Sequence, residues 1–175
     1  MAPRDTDLAL PIKMILSDVD GVMTNGLITY DNAGVEVKSF HVRDGQGIKL
    51  WMEAGLQFGI LTARNSNIVK IRAAELGVSI LRQGFSEKLP AAIDVFKAEQ
   101  IDPAHVCYIG DDLPDIPVMH HVGLSVAVAD AASEVKSAAT WTLQTHGGHG
   151  ALRELIERLL KAKGMWDDLI PTKFL

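Results

Sequence analysis

Four short segments of the chain carry the residues that can do chemistry. Asp18-Val19-Asp20-Gly21 comes first and Thr62-Ala63-Arg64 second; Lys88 is third, and Gly110-Asp111-Asp112-Leu113-Pro114-Asp115 closes the set. Each follows an apolar run of strand length or, for Lys88, opens the helical stretch after one. Carboxylates gathered in one place repel one another and favour a hard divalent cation. Magnesium takes oxygen ligands in octahedral geometry and keeps several waters. Such a cation, a lysine, a threonine hydroxyl and turn amides together suit a phosphate dianion. Asp18 is then free to attack phosphorus and carry an aspartyl phosphate. Asp20 can protonate the leaving alcohol and afterwards take a proton from the attacking water. The cation offsets the repulsion between anionic nucleophile and anionic substrate. Singly, each piece has a plainer explanation. Asp-x-Asp and Gly-Asp-Asp occur most often as solvated turns, a strand-end threonine as a structural group, and a helix-start lysine as surface charge. That lysine does oppose the helix dipole, which asks for a partner. What carries weight is the whole set, in this order, at successive strand ends.

The elements that must position these groups are readable from hydrophobic period and punctuation. Residues 12–16, 58–61, 78–81, 106–109 and 123–128 predict buried strands. Ile48, Trp51 and Met52 start a helical stripe that Gly55 stops. A further helix runs to Leu76 and closes at Gly77. Ser86 is an N-cap candidate for a helix bearing Leu89, Ile93 and Phe96. Leu152, Leu155, Ile156, Leu159 and Leu160 mark the last helix, which Gly164 ends. Residues 165–175 form a tail without periodicity. Residues 27–30 and 35–40 flank Asp31-Asn32-Ala33-Gly34 and predict a β-hairpin that stands off the main body, with one face wet or against a partner. Alternating strands and helices predict an α/β fold: a doubly wound, mostly parallel sheet with helices on both faces and the hairpin projecting. Ligands in such sheets lie at the carboxyl ends of the strands, so the four segments are expected to converge on one crevice.

Composition narrows the classes. A length of 175 residues fits one domain, spanning 1–175, with the hairpin as an insertion at about 27–41 and the tail from about 165. Hydrophobic residues at 47% and charged residues at 22% are ordinary for a folded core. Lys and Arg number 17 against 22 Asp and Glu, a net charge of −5, which argues against nucleic acid as a partner. No apolar run reaches the roughly 18 residues of a membrane span, and residues 1–10 lack a signal-like apolar stretch. The single cysteine, Cys107, excludes an internal disulfide and fits a reducing compartment, so a cytoplasmic location is expected. Cys107, Trp51 and Trp141 read as core. His120 and His121 lack further ligands for zinc. His146 and His149 flank glycines better explained by a tight turn or close backbone approach. His41, Arg43 and Asp44 are open between a solvated bend and a substrate contact. Trp166, in an unpatterned tail, is expected to pack on a neighbouring subunit.

Asp18-Val19-Asp20-Gly21-Val22-Met23-Thr24 resembles the first motif of the haloacid dehalogenase superfamily of phosphotransferases, and Thr62, Lys88 and Asp111-Asp112 resemble the second, third and fourth. Residues 17–26, Phe40-His41-Val42-Arg43-Asp44-Gly45-Gln46-Gly47-Ile48 and Gly147-Gly148-His149-Gly150-Ala151-Leu152-Arg153-Glu154 are similar to its capless subfamily that hydrolyses 3-deoxy-D-manno-octulosonate 8-phosphate. The likeness runs over about residues 13–163. It implies a Rossmann-like fold without a large cap domain. It implies Asp18 as nucleophile, Asp20 as general acid and base, and Mg²⁺ on the carboxylates of Asp18 and Asp111 and the carbonyl of Asp20. Asp112 and Asp115 would support or replace these ligands. Thr62, Ala63 and Lys88 would hold the phosphate, and Arg64 would lie near the carboxylate of a phosphorylated sugar acid. It further implies a homotetramer in which a neighbour's hairpin and tail close the site, and a place in lipopolysaccharide biosynthesis. Ala63 stands where relatives often have glycine, and His149 where they often have arginine.

Three other readings stay open. The same chemistry on a nine-carbon, sialic-acid-type 9-phosphate shares every motif. A phospho-receiver domain also uses an acidic pair, a threonine and a lysine, but there the phosphorylated aspartate follows the pair, whereas here Asp18 opens the set. A non-catalytic activator module conflicts with the intact Asp18, Asp20, Thr62, Lys88 and Asp111.

Overall fold

In a computed structural model the chain is described over residues 5–170. Six strands make one parallel sheet: β1 (Met14–Ser17), β4 (Gln57–Thr62), β5 (Ile80–Gln83), β6 (Val106–Gly110), β7 (Leu124–Ala127) and β8 (Trp141–Thr142). Their order is β5-β4-β1-β6-β7-β8. Met14 pairs with Gln57 on one side and Val106 on the other. The chain therefore winds outward from β1 to β5, then crosses back to β6 and winds the other way. A doubly wound sheet opens a crevice at that reversal, beyond the carboxyl ends of β1, β4 and β6.

The helices are α1 (Asp5–Ala9), α2 (Val42–Glu53), α3 (Asn67–Leu76), α4 (Lys88–Ala98), α5 (Ile116–Met119), α6 (Ser133–Ala138), α7 (Ala151–Ala162) and α8 (Trp166–Leu169). The stripe predicted for α7 is fully buried: Leu152, Leu155, Ile156, Leu159 and Leu160 have no exposed surface. Each such side chain contributes about 1.5–3 kcal/mol of burial. The central strands are apolar on both faces, as a sheet covered on both sides requires.

Four sequence expectations need correction. First, α2 starts at Val42, not Ile48, with His41 as its N-cap accepting from the Arg43 amide. Gly45 and Gly47 hide this start, because glycine is a poor helix former. They sit where α2 crosses its neighbours: a side chain on Gly47 would press on Arg153 of α7 at 3.3 Å. Second, the buried face of α4 is Ala91, Ala92, Val95 and Phe96, while Leu89 and Ile93 lie at its margin. Small alanines allow the close helix–sheet approach, which a stripe of large residues did not reveal. Glu87 rather than Ser86 is its N-cap residue. Third, Asp44 is neither solvated nor in the crevice. It is 3% exposed, and its Oδ1 accepts the Arg153 amide at 2.8 Å, capping α7 from the side. Fourth, Trp166 packs on its own chain at 8% exposure, with the Arg153 guanidinium 5.0 Å from its ring centroid. Residues 171–175 of the tail lie outside the described residues, as does any contact they make.

The hairpin is β2 (Thr29–Tyr30) with β3 (Glu36–Val37), antiparallel, pairing Thr29 with Val37. Asp31 closes its turn by accepting the Ala33 and Val35 amides on Oδ1. Alternation along the second arm separates two faces. Val35 and Val37 are exposed, while Glu36 and Lys38 turn inward over the crevice. The inward face meets the same chain, while the outward face, with Val35 and Val37, is the exposed one, as the alternation leads one to expect.

Candidate active site

A cleft of about 240 Å³ opens at the carboxyl ends of the central strands, lined by Asp18, Asp20, Thr62, Arg64, Lys88 and Asp111, with Gly26, Ala63, Asp112 and Pro114 at its margin. All four sequence segments meet there. Asp18 follows β1 directly and its amide donates to the Ile109 carbonyl at 3.1 Å. Thr62 is the last residue of β4, Lys88 the first of α4, and Asp111 follows β6.

Buried Asp115 organises the acidic end. Its Oδ1 accepts Lys88 Nζ at 2.6 Å and the Tyr108 hydroxyl at 2.7 Å. Its Oδ2 accepts the amides of Asp111 at 2.9 Å and Asp112 at 3.1 Å. Both oxygens are thereby engaged, and the turn after β6 is fixed. Burial holds the Tyr108 hydroxyl well above its usual value, so it remains the donor. Lys88 Nζ also lies 2.9 Å from Asp18 Oδ2, which sets the tilt of that carboxylate. Burial works against the Lys88 charge, but the Asp18 and Asp115 carboxylates outweigh it and raise the ammonium above its ordinary value. These carboxylates are the partners a first-turn lysine needs. Asp112 is exposed and caps the turn, accepting the Leu113 amide at 2.8 Å. Thr62 is buried and its Oγ1 accepts the Arg64 amide at 3.3 Å, shaping the bend that carries Ala63.

Electrostatically the site is unfinished. Burial, assisted by the Asp115 charge and opposed by Lys88, pushes Asp18 up to about 7. Burial and the charges of Asp18 and Asp115 push Asp111 up to about 8. Carboxylate oxygens of Asp18, Asp111 and Asp115 approach within 4.8 Å of one another. With Asp115 fully bonded, Asp18 and Asp111 are the pair with ligand capacity to spare. Asp111 Oδ1 is buried and has no hydrogen-bond partner among the described residues. A desolvated, unpartnered carboxylate oxygen beside a second anion fits a hard cation held by oxygen ligands.

That fit has a pH signature. Both groups are raised from 3.8, so the folded chain keeps their protons to higher pH than the unfolded one. The metal-free fold therefore loses stability as pH rises from about 4 towards about 8. A divalent cation binds the deprotonated pair and releases the protons. The rise in Tm on adding magnesium is expected to be small at about pH 5.5 and to reach several degrees at about pH 8. Differential scanning fluorimetry at the two pH values checks it.

Two groups in the crevice were missed by reading the sequence. Lys38, at the foot of the hairpin, forms an ion pair with Asp20 Oδ1 and has a side chain 2% exposed. Glu36 accepts Arg64 Nη2 on Oε1 at 3.1 Å and the Ser66 hydroxyl on Oε2 at 2.7 Å. The Ser66 hydroxyl, followed by Arg64 and Lys38, holds Glu36 below the usual carboxylate range. The alternation of the second arm was the available signal. It grouped Glu36 with Lys38 on one face but did not say what that face meets.

The loop that carries Asp20 is also held from the far side. Met23 and Thr24 amides donate to the Val19 carbonyl, curling the loop back on itself. The Gly148 amide donates to the Val22 carbonyl at 2.9 Å. A side chain on Gly147 would overlap the Gly21 carbonyl, and one on Gly21 would overlap Asp111. The expected close backbone approach thus lies between residues 147–148 and the loop after Asp20. His149 turns Nδ1 to the Gly147 carbonyl at 2.7 Å.

A profile of the haloacid dehalogenase-like hydrolases matches residues 71–155. The 3-deoxy-D-manno-octulosonate 8-phosphate phosphatase KdsC of Haemophilus influenzae is 45% identical over 153 residues, covering 87% of this chain and 85% of that protein. The crystal structure of 3-deoxy-D-manno-octulosonate 8-phosphate phosphatase from Yersinia pestis superposes with a TM-score of 0.92 at 41% identity, covering 95% of this chain and 90% of the other. That of the Moraxella catarrhalis phosphatase of the same name, in complex with magnesium, phosphate and KDO, gives 0.91 at 36% identity, with 94% of each chain covered.

Proposed function

This chain belongs to the 3-deoxy-D-manno-octulosonate 8-phosphate phosphatase family of haloacid dehalogenase-like hydrolases, and we propose that it hydrolyses that phosphomonoester to the free sugar acid and phosphate. The observation that carries the proposal is the junction of Asp18, Lys88 and Asp111 at the sheet's reversal point, with a desolvated carboxylate oxygen of Asp111 left unpartnered.

Each chain residue then has a task. Asp18, oriented by Lys88, attacks phosphorus, and the bond to the leaving sugar oxygen breaks. Asp20 gives that oxygen a proton. Water then attacks the aspartyl phosphate, Asp20 takes the water's proton, and the Asp18 carboxylate leaves. Thr62, Ala63 and Lys88 receive the phosphoryl oxygens at the ends of β4 and α4. Magnesium, held by the carboxylates of Asp18 and Asp111 and the carbonyl of Asp20, supplies positive charge that lets two anions meet. Asp115 and Asp112 act by holding the turn that presents Asp111. Arg64 stands at the outer rim, where a guanidinium suits the substrate carboxylate.

The proposal includes assembly as a homotetramer. Leu27, Ile28, Tyr30, Val35 and Val37 are all exposed on the hairpin, an apolar surface that a neighbouring subunit would cover. It also includes a cytoplasmic location, supported by a lone, buried, reduced Cys107; among the described residues no helix is long and apolar enough to cross a membrane.

Phosphate release from a panel of phosphorylated sugar acids, with and without magnesium, tests the substrate. Magnesium-dependent turnover that favours the eight-carbon ester is the expected result. Preference for a nine-carbon 9-phosphate would keep the chemistry and overturn the substrate.

A further inference from the structure

Glu36 and Lys38 are two residues apart on an extended arm, so their side chains leave on the same face. The structure turns that face into the crevice. Glu36 is bound on both oxygens by Arg64 and Ser66. This anchors the arm to the end of β4 and the start of α3. Lys38 Nζ lies 3.5 Å from Glu36 Oε1 and pairs with Asp20 Oδ1. At 2% side-chain exposure the Lys38 ammonium is as enclosed as Lys88, and in the described residues its partners are these two carboxylates. Asp20 Oδ2 accepts no hydrogen bond from the described residues. The two oxygens of Asp20 are thus unequal: Oδ1 is tied to the hairpin while Oδ2 is not, and Asp20 itself lines the cleft.

We propose that Lys38 is a positioning residue for Asp20: its ammonium pins Oδ1, so that Oδ2 meets the leaving oxygen in the first step and the attacking water in the second. The inference rests on the role of Asp20 given above. A carboxylate on a short side chain rotates freely about its terminal torsion unless one oxygen is fixed. A proton-transfer group acts only within hydrogen-bond reach of the atom it serves, and a misplacement of about 1 Å can cost about a hundredfold in rate. Lys38 supplies the fixing contact from the hairpin, and Glu36 holds Lys38 in place. Removing Lys38 frees the Asp20 carboxylate but leaves Asp18, Lys88 and Asp111 untouched. Loss is therefore expected in the proton-transfer steps and not in phosphate binding.

The test compares wild type with Lys38→Met, Lys38→Ala and Lys38→Arg as full-length, magnesium-loaded proteins, on whichever ester the wild type hydrolyses. Lys38→Met is expected to lower kcat by about tenfold to a hundredfold with KM within about threefold of wild type. Lys38→Arg, which keeps a donor on the arm, is expected to recover most of that loss. Ethylammonium ion added to Lys38→Ala is expected to raise kcat at least severalfold and to leave wild type unchanged. A folded Lys38→Met with wild-type kcat would overturn the assignment. So would a loss confined to KM, which would make Lys38 a substrate-binding group, or a folded Lys38→Ala that ethylammonium does not rescue. If Lys38→Met and Lys38→Ala both fail to fold while Lys38→Arg folds with wild-type kcat and KM, the lysine is structural and the assignment fails. If wild type itself hydrolyses none of the esters, the reading of the site fails instead, and the two failures are told apart.

Discussion

Asp18→Asn is expected to lower kcat by about 10⁴-fold or more, while the metal-free variant melts no lower than wild type at about pH 8. The two halves of this result have separate causes. The amide has no anionic oxygen to attack phosphorus, Asp115 is bonded on both oxygens, and Asp111 and Asp20 are assigned to the cation and to proton transfer. Stability moves the other way because the wild-type carboxylate is strained electrostatically. Burial and the Asp115 charge push it up to about 7. At a pH above that value its ionised form works against the fold, and an amide of the same shape removes the repulsion. Lys88 keeps Asp115 as its partner, so no buried charge is stranded. Steady-state kinetics and thermal melts without magnesium check both. A variant that melts well below wild type would mean that the Asp18–Lys88 pair, and not relief of repulsion, dominates.

Gly147→Ala is expected to cost about 1–3 kcal/mol of stability and about a hundredfold in kcat. Its Cβ would overlap the Gly21 carbonyl, which is backbone, so the chain itself must shift. The loop displaced is the one that carries Asp20 and, through Gly21, packs on Asp111. Gly77→Ala provides the contrast. Gly77 ends α3 with φ 76° and nothing within 4 Å of a Cβ. Its cost is the left-handed conformation alone, about 1–2 kcal/mol, with kcat unchanged. Chemical denaturation and steady-state rates on the two variants separate loop displacement from general destabilisation. Equal effects on kcat would contradict the account of residues 147–148.

The site was more legible in the sequence than the scaffold around it, for a physical reason. Asp18, Thr62 and Asp111 each follow an apolar run and Lys88 opens the helix after one, and a doubly wound sheet brings strand ends together whatever their exact register. The run and the punctuation were enough. What was lost depended on packing that no local pattern encodes. The start of α2 was concealed by Gly45 and Gly47, which exist for close approach to other helices. The buried face of α4 uses alanines, which a search for large residues passes over. β8 has two residues and α6 six, too short for a period to register. Trp166 carries no local sign of its burial, which depends on Arg153 and Lys161 of α7 lying over its ring. Lys38 is the most consequential omission. Its partner lies 18 residues away across the crevice, and only the folded hairpin brings the two together.

Borohydride trapping tests the central claim most directly. An aspartyl phosphate is an acyl phosphate, which borohydride reduces so that the aspartate becomes homoserine. The magnesium-loaded protein would be quenched into borohydride during turnover of the eight-carbon ester and its peptides analysed by mass spectrometry. Homoserine at position 18, present only when both ester and magnesium were added, is the predicted result. Continued phosphate release with no modification at Asp18, or with modification at another aspartate, would contradict it.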